Sequence, residues 1–561
     1  MTDTRTGTRT STDVIGITKV EATIDITPSD RETIAQAAPK LGILFRGSAQ
    51  YETARKWGVR AATHGYFPSA IAYPTSAEEV AALVRWATGA GISLCLKNGG
   101  HSGISFTRNL VISMDRMTSV KVAPYASPPR VTCGGGVRVT NVDAATAAHG
   151  LATVLGNCGM VGVVGAMMGG GTGYMARWQG LTIDQLLTAT LVLADGSIVE
   201  ASNESHPDLF YAVRGGYARE ASKPRSARVH PNHPRLCPAC RRGANFGIVV
   251  SLTLRCFPIG WDSSSPGNQK TKGPGALFGG MRIMFTKRIG LGGNSCGRLG
   301  LLRRFRDYAE SAPDVVSIEL MLPTFLPVAA AMHTYKGPLG EAKAESKKWK
   351  KVGKAVMSTM RVKSYFRDIQ SFVAKVDGKA QLKGYSERWV TMLTGALPDA
   401  ALEVIADAAK TAPKGAEAVI MIQRLGGKIE SPEGGEDSCA YAHRKAGYWL
   451  VLNMKTSKSG KPEEPTKAAS AIRWLNATCA LLEPHIITRS GVGCIAFVSG
   501  EELGDGGVEK PMAPVNVFGD AARLRRLYEL KLKYDPKNVF AAVENGISGA
   551  HNIDPTNPPP E

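Results

Sequence analysis

The sequence predicts an α+β architecture with more than one domain, on three observations. At 561 residues the chain exceeds what one compact core holds. Between Ala70 and Leu254 short apolar strands alternate with helical periodicity, separated by turn residues. After Pro258 the texture turns to Gly, Ser and Pro as far as about Gly280, and a second series of strands and helices follows.

In chain order, Ile71 to Tyr73 reads as a short strand and Pro74-Thr75-Ser76 as a helix cap. The helix Ala77 to Gly89 follows, because Val80, Leu83, Val84 and Ala87 fall on one face. Ile92 to Leu96, Leu110 to Met114 and Arg130 to Cys133 are strands, and a helix lies around Val139 to Ala148. Ala189 to Leu193 turns at Asp195-Gly196 into Ile198 to Ala201, a hairpin signal, and Ile248 to Leu254 closes the region. In the second domain the expected strands are Ile318 to Leu322, Ala418 to Ile422 and Tyr448 to Leu452. Its expected helices are Gly340 to Val352 and Pro398 to Ala409. A helix from Ala521 to Lys533 ends at the turn Asp535-Pro536, before a Pro-rich tail. The expected boundaries are a flexible arm over 1–40, a first domain over 41–258, a second over 259–510, and a C-terminal segment over 511–561.

Composition narrows the function. With 43% hydrophobic and 21% charged residues the chain is an ordinary globular one rather than a disordered one. Its 68 Lys and Arg against 48 Asp and Glu leave +20, yet the excess is scattered through helix faces such as Lys347, Lys348, Lys350 and Lys351. No zinc-finger array, basic zipper or basic stripe with interleaved aromatics is present, so no nucleic-acid partner is expected. Ten cysteines without regular spacing do not make a disulfide scaffold. The first forty residues hold no apolar segment of the secretory kind, which makes a cytoplasmic location the expectation. Leu151 to Ala176 is uncharged and long enough to span a membrane, but its eight glycines suit a backbone pressed against a ligand better than a lone helix, and no membrane partner is expected.

The chemistry lies in a series of glycine turns. Lys97-Asn98-Gly99-Gly100-His101-Ser102-Gly103 follows a buried strand, and Gly134-Gly135-Gly136 comes after another. Then stand Gly156-Asn157-Cys158, Val161-Gly162-Val163-Val164-Gly165 and Gly169-Gly170-Gly171-Thr172-Gly173, followed by Gly180-Leu181 with Asp184, Asp208-Leu209-Phe210, Arg214-Gly215-Gly216 and Asn245-Phe246-Gly247. A pyrophosphate needs several backbone N–H groups and close approach without Cβ atoms, which these glycines supply. Gly171-Thr172-Gly173-Tyr174-Met175-Ala176 with Asp195 imitates a dinucleotide fingerprint, but no strand precedes it, which argues against a nicotinamide site.

This series resembles the flavin-binding domain of the vanillyl-alcohol-oxidase (PCMH-type FAD-binding) superfamily, in its berberine-bridge-enzyme-like and glucooligosaccharide-oxidase-like branch. The resemblance runs with gaps from about Tyr51 to Pro258 and resumes at Lys531-Leu532-Lys533-Tyr534-Asp535-Pro536-Lys537-Asn538-Val539-Phe540. Tyr365 with Gln370, and Ala442-His443-Arg444, are weaker landmarks between them. The resemblance implies a two-subdomain FAD-binding domain, a separate α+β substrate domain and a C-terminal return to the FAD domain. It implies FAD bonded to His101 through the flavin 8α carbon and to Cys158 through C6. The other implied cofactor residues are Gly99, Gly100, Ser102, Gly103, Gly162, Gly165, Gly169, Gly170, Gly171, Gly173, Asp184, Asn245, Phe246, Gly247, Ile248 and Asn538. An imidazole nitrogen and a thiolate are suitable nucleophiles for an electron-poor flavin ring.

Tyr217 to Arg242 departs from the family, which would run from Gly216 directly into Gly243. The segment carries seven basic residues, one acidic residue and four prolines. His230, His233, Cys237 and Cys240 have zinc-like residue types, but a translated, unspliced intron or a variable surface loop is the better reading, and no metal is expected. On the substrate side, Gly493-Cys494-Ile495-Ala496-Phe497 lacks the tyrosine that related enzymes often place there. A base is still required. Tyr441, Tyr365 and His443 are the candidates for it. The expected function is therefore that of an FAD-linked oxidase acting on a hydroxylated small molecule, such as a sugar or secondary metabolite, with dioxygen as acceptor. A dehydrogenase with poor oxygen reactivity and a flavin-free binding protein on the same scaffold are the alternatives.

Overall fold

A computed structural model describes residues 10–12, 18–21, 26–55, 66–100, 109–216, 246–259, 277–286, 297–363, 387–413, 417–455, 464–488 and 519–540. Ser76 caps the helix Ala77–Gly89 by accepting the Glu79 backbone N–H, and the apolar stripe read from the sequence is fully buried. That helix covers a four-stranded sheet ordered Gly42–Phe45, Ala70–Tyr73, Leu110–Ser113, Leu94–Lys97. The last three strands run parallel. A five-stranded antiparallel sheet follows, ordered Ile198–Ala201, Leu186–Val192, Ile248–Arg255, Arg130–Gly134, Val120–Ala123. Its hairpin turns where the sequence places it, with Ser197 donating to Asp195 and Gly196 at φ +79°.

The N-terminal arm holds more structure than the sequence suggests. Thr10–Thr12 pairs with Thr18–Glu21, and Pro28–Ala37 is a helix. Thr27 and Asp30 form a reciprocal capping box, and Ile34 anchors the helix in the core.

The second unit is an eight-stranded antiparallel sheet. Its strand Leu277–Phe285 begins inside the Gly/Ser/Pro stretch expected to be a connection. On one face, Ile318, Leu320, Leu322, Ile420, Ile422, Leu450 and Leu452 pack under the helices Gly297–Ser311, Asp399–Thr411 and Pro465–Leu482. Strand alternation sends the residues between them to the opposite face. There Met332 and Leu393 join the core of the first unit, so the sheet lies face-on against that unit.

Arg177 fastens the two units. It is 3% exposed and sits on the short helix Ala176–Gln179, from which it donates to the carbonyls of Val316 (2.7 Å), Ala312 (3.2 Å) and Leu425. The C-terminal helix Ala521–Tyr534 returns to the first unit. Leu527 packs beside Gly216, and Lys533 and Tyr534 both bond Asp208. Buried Lys531 and Asp535 pair at 2.6 Å, and Asp535 also accepts the Val539 and Phe540 N–H groups, which folds the chain end back on the helix.

Candidate active site

Two glycine turns meet backbone to backbone. A Cβ on Gly99 would lie 2.2 Å from the Gly162 nitrogen, and one on Gly162 would lie 2.4 Å from the Gly99 nitrogen. Only glycine fits either position. Gly173 is pressed equally hard against the Leu155 carbonyl, which brings the third glycine turn up to Asn157 and Cys158. By contrast, a Cβ on Gly165 would meet nothing within 4 Å. The cradle is thus tight where loops cross and open beside the helix Val163–Met168.

These residues suit FAD on a polar criterion as well. The Asn157 Oδ1 and Thr172 Oγ1 atoms are buried and have no hydrogen-bond partner among the described residues. Buried polar atoms rarely stay unpaired in a finished site, and a ligand rich in hydroxyls and phosphates satisfies them. Cys158 is a partly exposed cysteine in the same turn. His101, Ser102, Gly103, Asn245 and Tyr365 lie outside the described residues, as do 217–242 and 493–497.

Opposite the cradle stands a row of side chains across the eight-stranded sheet: Met281, Met332, Glu319, Gln423, Trp449 and Leu393, each paired with the next. Glu319 is 4% exposed, and its carboxylate accepts a hydrogen bond from the Asn157 amide at 2.9 Å. Burial pushes its carboxyl up to about 7, against the opposing effect of that amide. Gln423 Oε1, Trp449 Nε1 and Thr391 Oγ1, on the same face, are buried without partners among the described residues. This face offers a base and polar groups to a hydroxylated molecule lying between sheet and cradle.

The sequence reading missed Glu319. The available signal was a carboxylate in the middle of the apolar run Ile318-Glu319-Leu320, where a buried charge needs a reason. Of the candidates named from the sequence, Tyr441 and His443 lie together. Tyr441 packs on Gly215, and its N–H donates to the Arg214 carbonyl at 3.1 Å. Burial raises its phenol far above the ordinary value, and the hydroxyl has no partner among the described residues. His443 stands edge-on to Tyr441 at 6.2 Å. Arg444 donates twice to Asp184, at 2.6 and 3.1 Å, so Asp184 is held in an ion pair and also accepts the Leu181 N–H. Asn538 sits at φ +51° with Oδ1 unpaired among the described residues, while Phe246 and Ile248 are fully buried and Gly247 packs against the Val192 carbonyl. The described residues contain no group of three His, Cys, Asp or Glu able to hold a metal, and no helix long and apolar enough to cross a membrane.

Comparison with known proteins places this geometry. Residues 68–202 match the FAD binding domain family. Glucooligosaccharide oxidase of Sarocladium strictum is 40% identical over 157 residues, 27% of this chain and 31% of that protein. The chain therefore aligns with about a third of that relative's length. An FAD-linked oxidoreductase of Dictyostelium discoideum is 24% identical over 511 residues, 89% of this chain and 93% of its own. The crystal structure of the Acremonium strictum glucooligosaccharide oxidase, described as showing a novel flavinylation, superimposes with a TM-score of 0.70 at 22% identity, covering 92% of this chain and 98% of that one. 6-Hydroxy-D-nicotine oxidase of Arthrobacter nicotinovorans gives 0.69 at 20% identity, covering 92% and 98%. The chain thus carries an FAD binding domain over residues 68–202 and, over most of its length, shares the fold of these FAD-linked oxidases.

Proposed function

We propose that this chain is an FAD-linked oxidase that converts the CH–OH group of a small hydroxylated molecule, a sugar or a secondary metabolite, to a carbonyl. The observation that carries the proposal is Glu319, a buried carboxyl held at about 7 and bonded to Asn157, the neighbour of Cys158. FAD, when bound, supplies a hydride acceptor at N5 and passes the electrons to dioxygen. The chain's own contribution is to orient and deprotonate. The Asn157 amide fixes the Glu319 carboxylate, whose Oε atoms take the hydroxyl proton of the substrate. Gln423 and Thr391 offer hydrogen bonds to neighbouring hydroxyls, and Trp449 and Met332 line the row on either side. Glu319 serves as base better than Tyr441, whose phenol holds its proton too tightly near neutrality.

His101 and Cys158 are the proposed covalent attachment points. This is supported by a glucooligosaccharide oxidase structure described as carrying 6-S-cysteinyl, 8α-N1-histidyl FAD. Of the other cofactor residues named from the sequence, Gly99, Gly162, Gly165 and Gly173 stand at the cradle on this reading. On this reading the partners are the small substrate and dioxygen, with neither nucleic acid nor membrane, in the cytoplasm. A screen of hydroxylated compounds with peroxide detection tests the proposal. Peroxide release with one class, reduced at least a hundredfold in Glu319→Gln, is expected. Flavin reduction by substrate without peroxide would give the dehydrogenase alternative, and full activity in Glu319→Gln would remove Glu319 as the base.

A further inference from the structure

A cavity lies at the seam between the two units, at the end of the five-stranded sheet where Arg130 and Arg255 stand. Its volume is about 320 Å³. Arg130 starts the strand Arg130–Gly134, whose far end carries Gly134, and Arg255 ends the neighbouring strand directly across from it. Of the residues assigned to FAD only Asp184 lines this cavity, and its carboxylate is taken by Arg444.

The wall holds four cations, Arg130, Arg214, Arg255 and Lys428, and three carboxylates, Asp184, Glu204 and Glu433. Two carboxylates are spent, Glu433 bidentately on Arg255 at 2.9 and 3.0 Å and Asp184 on Arg444. Arg130, Arg214 and Lys428 then face Glu204 alone, an excess of two positive charges. Arg130 and Arg255 are moreover paired directly across two antiparallel strands, where like charges repel. Arg214 donates to the Phe210 and Ser438 carbonyls, neither of which carries a charge.

We propose that this seam cavity binds a phosphate dianion, free or as the phosphomonoester of a small metabolite. Phosphate carries between one and a half and two negative charges near neutrality, roughly the excess on the wall, and its oxygens can each meet a different cation. Two arginines of planar fork geometry and a lysine form a donor set of the kind that recognises it. The cavity spans both units, since Lys428 and Glu433 come from the loop after the strand Glu417–Arg424. Its occupant therefore bridges them.

Isothermal titration of the flavin-loaded, full-length protein tests this with inorganic phosphate and with glycerol phosphate as probes. Saturable one-site binding is expected. It should weaken as the pH falls through about 6, where the dianion protonates. Arg130→Gln and Lys428→Gln, both at exposed positions, should each weaken it about tenfold, about 1.4 kcal/mol. Melting temperature serves as the second readout: phosphate should raise it in the parent and much less in the double variant, whose unliganded fold and flavin absorbance stay intact. Tighter binding of glycerol phosphate identifies a metabolite as the occupant, and tighter binding of inorganic phosphate identifies the free ion. Absence of saturable binding, or binding that both substitutions leave unchanged, overturns the proposal.

Discussion

On the cofactor side of the candidate site the walls are backbone, whereas on the facing sheet they are side chains. Gly99 and Gly162 touch through main-chain atoms and tolerate no Cβ, while Glu319, Gln423 and Trp449 reach the site from three different strands. The backbone wall offers close approach to main-chain N–H groups, which is what a pyrophosphate needs. The side-chain wall can change residue by residue without disturbing the sheet, because its opposite face carries the packing. One wall is therefore fixed by geometry and the other is free to set the substrate.

The sharpest way to break this comparison is Gly162→Ala. A Cβ 2.4 Å from the Gly99 nitrogen forces the loops apart, so flavin loading should be lost, with a stability loss on the order of 3 kcal/mol or more in a denaturant melt. Unchanged loading would mean that the crossing is not rigid. On the opposite wall, Glu319→Gln should leave flavin loading intact and lower kcat/KM at least a hundredfold.

The same substitution has a stability signature. The Glu319 carboxyl is raised from 4.5 to about 7, so its favourable contribution is complete below 4.5 and is lost as pH rises through 7. Glu319→Gln should therefore gain stability relative to the parent between pH 5 and 8, read from melts across that range. His333 provides the opposite sign on the far face of the sheet. It is fully buried and bonded to the Tyr308 hydroxyl at 2.8 Å, and burial lowers it from 6.5 to about 3. Its contribution is present above 6.5 and lost as pH falls towards 3, so His333→Gln should flatten the acid limb of the stability curve.

The smallest effect is expected at Gly165. A Cβ there meets only open space, so Gly165→Ala should leave the melting temperature of flavin-free protein the same or slightly higher while lowering flavin loading. A loss of stability without a change in loading would separate this position from the cradle.

The backbone wall was legible in the sequence because glycine turns advertise themselves. Gly99, Gly162 and Gly173 were named from spacing and resemblance, and the structure brings Gly99 against Gly162 and Gly173 against the Asn157 turn. Helices with clear periodicity were equally legible, as Ala77–Gly89 and Asp399–Thr411 show. The side-chain wall was not. Glu319, Gln423 and Trp449 are far apart in the chain, and only strand register puts them in one row. The helix Gly297–Ser311 was missed because glycines and arginines dilute the signal of its buried stripe Leu301, Leu302, Phe305, Tyr308 and Ala309, and Pro28–Ala37 because its polar composition hides a single anchor at Ile34.

The most direct measurement takes the purified protein, precipitates it with acid and maps its peptides by mass spectrometry. The precipitate should stay yellow, with flavin on the peptides containing His101 and Cys158, and FAD should be released on denaturation only when both residues are replaced by alanine. A colourless precipitate with both peptides unmodified, from protein that was yellow when folded, would contradict this expectation.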